Sequence, residues 1–426
     1  MTGTTGSTAN PTAATSSNRI PSSSSWSRKA IVAAVLSSFL LATLKSSIQD
    51  TTSSLKAFTN QNARSVLAKD GVTMSLRKSA LAKKSKTDEY KEYIPSKMED
   101  YILTHMKELK LDAKAPNLVT TCHLWKDPLS SPIYDDLHTF RKDLEDYYKR
   151  VEAFQLDHNI TDIREHLKHR DNDNDNKEKA AAAKNEFCTH LEVAQDGLPS
   201  IFAKEQLSYT RAGWVEPLLP PMRHPNWCID GTQTSLGSID YLIHDFAHTC
   251  RQLKPTSRLV LFDMGASLMF SKKWPSPVLK LVDNFRKFGL PFDHIYAYEV
   301  TQQQPADVFI MLPLHMRAAF HWINVGVDSD PKSENNPFKL LLDNYHEDDL
   351  IIVKLDIDSS GIERTLANQL LGDERLLMLI DHFYFEHHVN QAELAPYWGH
   401  MQETVEESLT LFQELRKKGV ASHYWN

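Results

Sequence analysis

Acidic residues end five apolar segments in the C-terminal half of the chain, at positions suited to binding hydroxyl groups or moving protons. The candidate positions are Asp263 with Gly265, Glu299, Asp328, Asp356 with Asp358, and Glu386 with His387. A carboxylate accepts hydrogen bonds from hydroxyls, and a carboxylate or histidine can take a proton from one. The pattern therefore indicates a site for a hydroxyl-bearing ligand, with Asp356, Asp358 and His387 as candidate acid–base groups.

The segments before these acids are predicted to be strands of one sheet. Leu259–Phe262 is an unbroken apolar run, typical of a strand covered on both faces. Ser276 and Pro277 predict a helix start and Gly289 a helix end, and a second strand follows at Ile295–Tyr298. This alternation continues to the C-terminus and predicts an α/β fold with a doubly wound, Rossmann-like sheet and helices on both faces. In such sheets ligands bind beyond the carboxyl ends of the strands.

The remaining predicted elements follow from apolar runs and helical spacing. Further strands are expected at Phe320–Asp328, Asp349–Asp358, Leu376–Glu386 and Val420–Trp425, and helices at Ser96–Leu111, Asp135–Phe154, Ser238–Leu253, Ile362–Leu371 and Gln402–Lys418. The Leu376–Glu386 strand and the two residues after it carry Asp381, His382, Glu386, His387 and His388. Because alternate side chains of a strand point to opposite faces, these groups cannot all converge, and no metal site is predicted.

The turn after the first strand restricts the type of cofactor. A dinucleotide fingerprint needs G-x-G-x-x-G at this position, and the chain has Gly265 alone there. A phosphate-binding P-loop is also missing from the sequence. One glycine followed by an acid at the next strand end, Glu299, indicates instead a nucleoside-type cofactor without phosphates, whose ribose hydroxyls Glu299 could bind.

Successive motifs in this half of the chain resemble those of one enzyme family. The motifs are Phe262–Ala266, Tyr298-Glu299, Val353–Asp358 and Phe385–His387, with Arg416–Trp425 at the end. In order and spacing they resemble FkbM-type S-adenosylmethionine-dependent methyltransferases, and the last segment resembles the tail of eukaryotic members. The resemblance covers roughly Cys228–Asn426, which is under half of the chain.

The resemblance implies O-methylation of a hydroxyl on a glycan or small metabolite, with S-adenosylmethionine as the cofactor. It implies that Asp263 and Gly265 shape the methionine pocket and that Glu299 holds the ribose. Lys354, Asp356 and Asp358 would lie at the mouth of the active site, with His387 as a further catalytic candidate. Cofactor contacts are expected from Asp263, Gly265, Glu299, Asp328 and Glu386.

Two departures from the family pattern support an alternative function. Met269 stands where the family has a second glycine after the first strand, and Ser359 follows Asp358 where the family has a glycine, with Gly361 displaced. Extra bulk beside a cofactor weakens its binding. The alternative is therefore a catalytically degenerate, methyltransferase-like binding or scaffold protein.

Composition divides the 426-residue chain into five predicted segments. These are a disordered tail (1–28), a transmembrane signal anchor (29–47), a polar basic stem (48–95), a helical or irregular region (96–227) and a methyltransferase-like domain (228–426). The net charge of −7 gives no general footprint for nucleic-acid binding. The expected partners are therefore a small-molecule or glycan substrate and, through the N-terminal helix, a membrane.

Ala30–Leu44 is a charge-free apolar run of 15 residues, with Arg28 and Lys29 before it. The run is shorter than a full membrane span of roughly 20 residues but longer than most signal-peptide cores, and no clear A-x-A cleavage site follows it, which favours an uncleaved signal anchor over a signal peptide. An organellar transit peptide is a third alternative, because the segment is rich in serine, basic and free of acids. An anchor implies a single-pass protein of the endoplasmic reticulum or Golgi with a lumenal domain. In that compartment the sequon at Asn159 would be glycosylated.

The four cysteines, Cys122, Cys188, Cys228 and Cys250, form no C-x-x-C pair, so the sequence does not support a zinc site of that type. Two disulfides in an oxidising compartment and four buried thiols are equally compatible with the sequence.

Overall fold

The structure of the protein is a computed structural model. Six parallel strands form one sheet in the part of the chain that it describes. The structure describes residues 93–129, 131–157, 161–165, 186, 188–192, 201–202, 204–267, 276–399 and 401–425. In order of occurrence along the chain, the strands of the sheet are arranged 3-2-1-4-5-6. This is the order of doubly wound nucleotide-binding folds, and it supports the predicted α/β, Rossmann-like sheet.

The elements are numbered along the chain. The strands are β1 (Ser208–Thr210), β2 (Gly213–Val215), β3 (Leu259–Met264), β4 (His294–Tyr298), β5 (Phe320–Ile323), β6 (Leu350–Leu355), β7 (Ile380–Phe385) and β8 (Ala421–Tyr424). The helices are α1 (Lys97–Thr104), α2 (His123–Lys126), α3 (Tyr134–Asp157), α4 (Asn226–Asp230), α5 (Gln233–Leu236), α6 (Phe246–Gln252), α7 (Pro277–Lys287), α8 (Pro305–Met311), α9 (Pro337–Asn344), α10 (Ser360–Gly372), α11 (Glu374–Leu379) and α12 (Val405–Lys417). Short 3₁₀ turns occur at Lys204–Gln206 and Leu314–Met316.

The sheet is covered on both faces at its centre. Every residue of β3, β6 and β7 is buried, although successive side chains point to opposite faces. The unbroken apolar runs that predicted these strands follow from this double covering. At the β5 edge the side chains after Phe320 are only half-buried, as an edge strand allows. The sheet order is β5-β4-β3-β6-β7-β8, so β3 and β6 lie side by side at the centre.

Four predicted elements differ from the structure. The predicted helix Ser96–Leu111 is α1, which ends at Thr104. The predicted strand Leu376–Glu386 is helix α11 followed by β7, because Asp373 caps a helix there and a short apolar run alone does not separate helix from strand. The predicted strand Phe320–Asp328 stops at Ile323, so Asp328 does not end a strand. The predicted helix Ser238–Leu253 is reduced to α6, because Asp245 caps a helix that begins only at Phe246.

Two disulfides tie the helical region before the sheet to the rest of the fold. Cys122 bonds to Cys228, and Cys188 bonds to Cys250. Of the two alternatives that the sequence left open, the structure therefore has the disulfides. The first closes a loop of 106 residues, and long loops gain the most stability from closure in the chain-entropy view.

A buried ionic network joins α1 to the last helix, α12. It consists of Glu99, Glu216, Arg416 and His423, and it is called the Arg416 network below. The Arg416 guanidinium lies 3.2 Å from the carboxylate of Glu99 and 3.6 Å from that of Glu216. His423 Nδ1 lies 2.7 Å from Glu216 Oε1, the same carboxylate oxygen that faces Arg416.

Within the described ranges, none of the helices has both the length and the apolar character needed to cross a bilayer. The predicted anchor Ala30–Leu44, the sequon residue Asn159 and Met269 lie outside the described residues.

Candidate active site

The register of the two central strands places Asp263 beside Lys354. The two residues are direct neighbours across β3 and β6. Asp356 is two residues after Lys354, so its side chain is directed to the same face of the sheet. The order of strands reverses between β3 and β6, and ligands bind at such a reversal, beyond the carboxyl ends of the strands.

The Lys354 ammonium group is the centre of a buried group of polar atoms, called the Lys354 cluster. Its Nζ lies 3.1 Å from Asp263 Oδ1, 3.0 Å from Asp356 Oδ2 and 2.8 Å from the carbonyl oxygen of Gly265. The Gly265 carbonyl accepts a hydrogen bond from the ammonium group, and the two carboxylates form ion pairs with it. Burial opposes the charged form of Lys354, but the two carboxylates outweigh it and raise its pKa, so the side chain stays a cation.

Asp356 is poised to exchange a proton near neutral pH. Burial raises its pKa to about 7, in spite of the attraction of Lys354, and the neighbouring carboxyl of Glu386 acts in the same direction. Asp356 and Glu386 share a hydrogen bond. Glu386 behaves differently: burial favours its neutral form, but hydrogen bonds from His388 and Arg223 hold its pKa well below the ordinary value. While the pair holds one proton, that proton is therefore on Asp356 and the negative charge on Glu386, and Asp356 ionises as the pH rises through about 7.

Gly265 is required where the turn after β3 meets the end of β6. Its φ is +86°, in the left-handed region, and a Cβ atom would lie only 1.5 Å from the carbonyl oxygen of Asp356. The amides of Gly265 and Ala266 both donate to the carbonyl of Tyr298, at 3.0 and 2.9 Å. The turn is thus packed between the ends of β4 and β6, and it brings Tyr298 and the adjacent Glu299 to the same edge of the sheet.

Glu299 directly follows β4, as predicted, and its side chain is half-buried. One carboxylate oxygen accepts a hydrogen bond from the Thr301 amide at 2.6 Å. A carboxylate has about four acceptor positions, so this bond leaves capacity for ligand hydroxyls. Asp328, by contrast, is exposed in the loop after β5 and accepts a hydrogen bond from the Asp330 amide at 3.0 Å.

The structure separates the two histidines that follow Glu386. His387 points away from the Lys354 cluster, and its ring lies 2.8 Å from Ser408 Oγ and 2.8 Å from Glu403 Oε2. His388 instead lies 3.1 Å from Glu386 Oε2. Asp358 is exposed, with φ of +54°, and its carboxylate lies near Glu386 and His388. Of the predicted acid–base residues, Asp356 and Asp358 are therefore brought to this region and His387 is not.

Three residues of this region were not expected from the sequence: Arg223, His388 and Trp398. Arg223 Nη2 and Trp398 Nε1 both donate to Glu386 Oε1, at 2.7 and 3.1 Å. Arg223 lies 163 positions before Glu386, so the pairing has no local signal. The sequence signal for this pairing was an arginine in the proline-rich segment Leu218–Pro225, because a buried arginine is almost always paired.

The chain was also compared with known proteins. No protein-family model, no curated protein and no solved structure matches it.

Proposed function

We propose that the protein is an S-adenosylmethionine-dependent O-methyltransferase of the FkbM type, acting on a hydroxyl of a glycan or small metabolite. The main support is the Lys354 cluster, which sits at the switch point of a doubly wound sheet and holds a carboxyl group with a pKa of about 7. The sequence motifs that resemble the family fall at the ends of β3, β4, β6 and β7.

Glu299 and the turn at Gly265 would hold the cofactor. The half-buried Glu299 carboxylate at the end of β4 fits the two ribose hydroxyls of a nucleoside, because it keeps acceptor capacity beyond its bond to Thr301. Asp263 supports the site indirectly, since its carboxylate is paired with Lys354. Asp328 lies in an exposed loop and is not part of the proposed site.

S-adenosylmethionine supplies an electrophilic methyl group when bound. Methyl transfer is a direct displacement, so the residues of the chain have to align the acceptor hydroxyl and remove its proton. Asp356 is the proposed base, because a general base works best with a pKa near the operating pH. Lys354 fixes the Asp356 carboxylate in position through its 3.0 Å contact.

A second candidate is a binding or scaffold protein that keeps the fold without catalysis. The contact at Gly265 favours this second candidate. The Asp356 carbonyl oxygen fills the space beside Gly265, so the protein's own backbone, and not a ligand, explains why a glycine is needed there. In this alternative the Lys354 cluster serves to hold β3 and β6 together.

We also propose that the protein is a single-pass membrane protein with a lumenal domain in the endoplasmic reticulum or Golgi. Both disulfides support this, because such bonds persist in oxidising compartments and are rare in the cytosol. An organellar location is the alternative. Carbonate-washed membranes should retain the full-length protein, and removal of N-linked glycan should speed its gel migration. Full-length protein in the soluble fraction would contradict the anchor.

Titration of the full-length protein with S-adenosylmethionine in a calorimeter tests the proposed activity most directly. Saturable binding with a stoichiometry of one is expected. A parallel titration with S-adenosylhomocysteine tests whether the site also accepts the product of methyl transfer. No binding of either compound would contradict the methyltransferase proposal and favour the scaffold alternative.

A further inference from the structure

Asp358, Glu386 and His388 lie together just beyond the ends of β6 and β7, and they are called the Glu386 cluster. One ligand atom from each, two carboxylate oxygens and a ring nitrogen, lies within 4.8 Å of the others. Glu386 and His388 are two positions apart, just beyond the last residue of β7, and they face the same region, whereas His387 between them faces Ser408 and Glu403. Three possible metal ligands thus meet here, although no metal site was predicted from the sequence.

The orientation of the His388 ring is fixed from outside the cluster. Its Nδ1 atom lies 3.0 Å from the carbonyl oxygen of Gly399. A carbonyl oxygen only accepts hydrogen bonds, so Nδ1 carries a proton. The ring is only 7% exposed, and its Nε2 atom donates to Glu386 Oε2, 3.1 Å away; a bound metal ion would take the place of this proton. Histidines that bind metals commonly donate the other ring N–H to a backbone carbonyl in this way.

Glu386 is held in an equally specific orientation. Arg223 and Trp398 both donate to its Oε1 atom, which leaves Oε2 directed toward His388. The Trp398 ring also stacks on the His388 ring, with centroids 5.1 Å apart. The Arg223 guanidinium lies 5.2 Å from the centroid of the Trp398 ring. These contacts support the two inner ligands from behind, as outer residues do in metal sites.

Acidic side chains outnumber the lysine and arginine side chains around the cluster. The cations next to it are Lys354 and Arg223. The acids in the same region are Asp263, Asp356, Asp358, Glu363 and Glu386. The Glu363 carboxylate is itself held in place by the Ile357 amide at 2.8 Å. A bound divalent cation would interact favourably with these acids and would replace the proton that His388 Nε2 now shares with Glu386.

We propose that Asp358, Glu386 and His388 bind a first-row divalent metal ion, with Mn²⁺ or Zn²⁺ as the fitting ions. An imidazole nitrogen with two carboxylate oxygens suits these metals, whereas Mg²⁺ and Ca²⁺ prefer oxygen ligands alone. Three protein ligands leave open positions for water or a substrate hydroxyl. The site borders the proposed acceptor position at Asp356, but its existence does not depend on methyl transfer.

The competing explanation of this geometry is that protonated His388 only forms an ion pair with Glu386 and that the cluster binds no metal ion. Metal titration of the full-length, tag-free protein, after treatment with a chelator, separates the two. Calorimetry with MnCl₂ and with ZnCl₂ should give one saturable site, and the electron paramagnetic resonance signal of free Mn²⁺ should fall by one equivalent. MgCl₂ should bind more weakly than either.

Two variants and a matched control test which residues bind the ion. Asp358→Asn changes an exposed side chain, so folding is not at risk, and His388→Gln removes the ring nitrogen. Each should weaken Mn²⁺ binding by about tenfold or more, as changes at metal sites commonly do. The control is His387→Gln, which alters the adjacent histidine outside the cluster and should leave the affinity unchanged.

Absence of saturable binding of both ions, or unchanged affinity in both Asp358→Asn and His388→Gln, would overturn the metal site. Equal losses in His387→Gln and His388→Gln would also overturn it. A separate titration with S-adenosylmethionine in metal-free buffer tests the proposed methyltransferase, so the failure of one proposal is distinguishable from the failure of the other.

Discussion

The Arg416 network and the Lys354 cluster each bury one cation between two carboxylates, but they differ in their access to solvent. In the first, the side chains of Arg416 and Glu99 are completely buried. In the second, the Asp356 side chain is 21% exposed, and the cluster continues outward to the exposed Asp358. A ligand can therefore reach the Lys354 cluster without unfolding of the protein, and the Arg416 network is closed to it.

The two regions also connect different parts of the fold. The pairing of Glu99 with Arg416 joins residues 317 positions apart and fixes α1 against α12. The Lys354 cluster joins neighbouring strands of one sheet at the edge where such sheets bind ligands. Buried charge alone thus does not identify a functional site. A candidate site differs from a structural ion pair because its buried charge lies at the carboxyl ends of the strands and is partly exposed to solvent.

The largest effect is expected where the Lys354 cluster is assembled, from Gly265→Ala. The new Cβ atom would overlap the Asp356 carbonyl, and the φ of +86° is unfavourable for alanine. We expect a loss of roughly 4 kcal/mol or more in the free energy of unfolding, or a failure to fold. Both the overlap and the unfavourable φ involve backbone atoms, which cannot move aside as a flexible side chain can. Soluble yield and urea denaturation measure it.

Gly361→Ala is the matched control for this change. No atom lies within 4 Å of the position of its Cβ, and the residue is in α10. Alanine should stabilise that helix by about 0.5–1 kcal/mol. Similar stabilities of the two variants would show that the packing of the turn at Gly265 is described wrongly.

The second prediction compares the two buried cations directly. Arg416→Met leaves the carboxylates of Glu99 and Glu216 without their cation in a closed interior, which should cost about 3–5 kcal/mol of stability. Lys354→Met should cost less, about 1–3 kcal/mol, because the partly exposed Asp356 can take up a proton instead. Urea denaturation at pH 7 measures both. A larger loss from Lys354→Met would reverse the structural and functional assignments of the two regions.

The third prediction concerns pH and the Arg416 network. Burial raises the pKa of Glu216 to about 7, although Arg416 opposes the shift. Because its pKa is higher in the folded than in the unfolded protein, Glu216 adds stability that is complete below about pH 4.5 and is lost as the pH rises through 7. The full contribution is about 3 kcal/mol.

Denaturation between pH 5 and 8.5 checks this sign. The wild type should lose stability over that interval, and Glu216→Gln should lose less, because its amide does not ionise. The raised pKa of Asp356 acts in the same direction, so the slope should shrink without vanishing. A wild-type stability that rises with pH would contradict the protonation described for both regions.

Local patterns were sufficient to predict most of the sheet. The apolar runs of β3 and β6, the helix signals at Pro277 and the acids that follow the strands are all properties of short segments, and the structure has them. Two errors have different causes. Leu376 belongs to a helix because Asp373 caps it, which is a local signal, whereas the strand that begins at Phe320 ends early at the sheet's edge.

The candidate site was less predictable, because its contacts join distant segments. Asp263, Asp356 and Glu386 were identified from their positions after strands, and strand register then brings them together. The hydrogen bond from Arg223 to Glu386 joins residues 163 positions apart, so no local pattern predicts it. Similarly, His388 and not His387 faces the site, which is decided by the chain path just beyond β7.

The last prediction tests the proposed ligand region at Glu299. If this carboxylate binds two ribose hydroxyls, Glu299→Ala should lose about 1.5–3 kcal/mol of S-adenosylmethionine affinity, which is on the order of ten- to a hundredfold. Glu299→Gln should lose less, because its amide oxygen still accepts. Asp328→Ala is the matched control, since Asp328 also follows an outer strand but is exposed in a loop. Calorimetric titration of the four proteins decides the point, with circular dichroism to verify folding. If Asp328→Ala weakens binding and Glu299→Ala does not, the cofactor lies over the loop after β5, and the placement proposed here at the end of β4 is wrong.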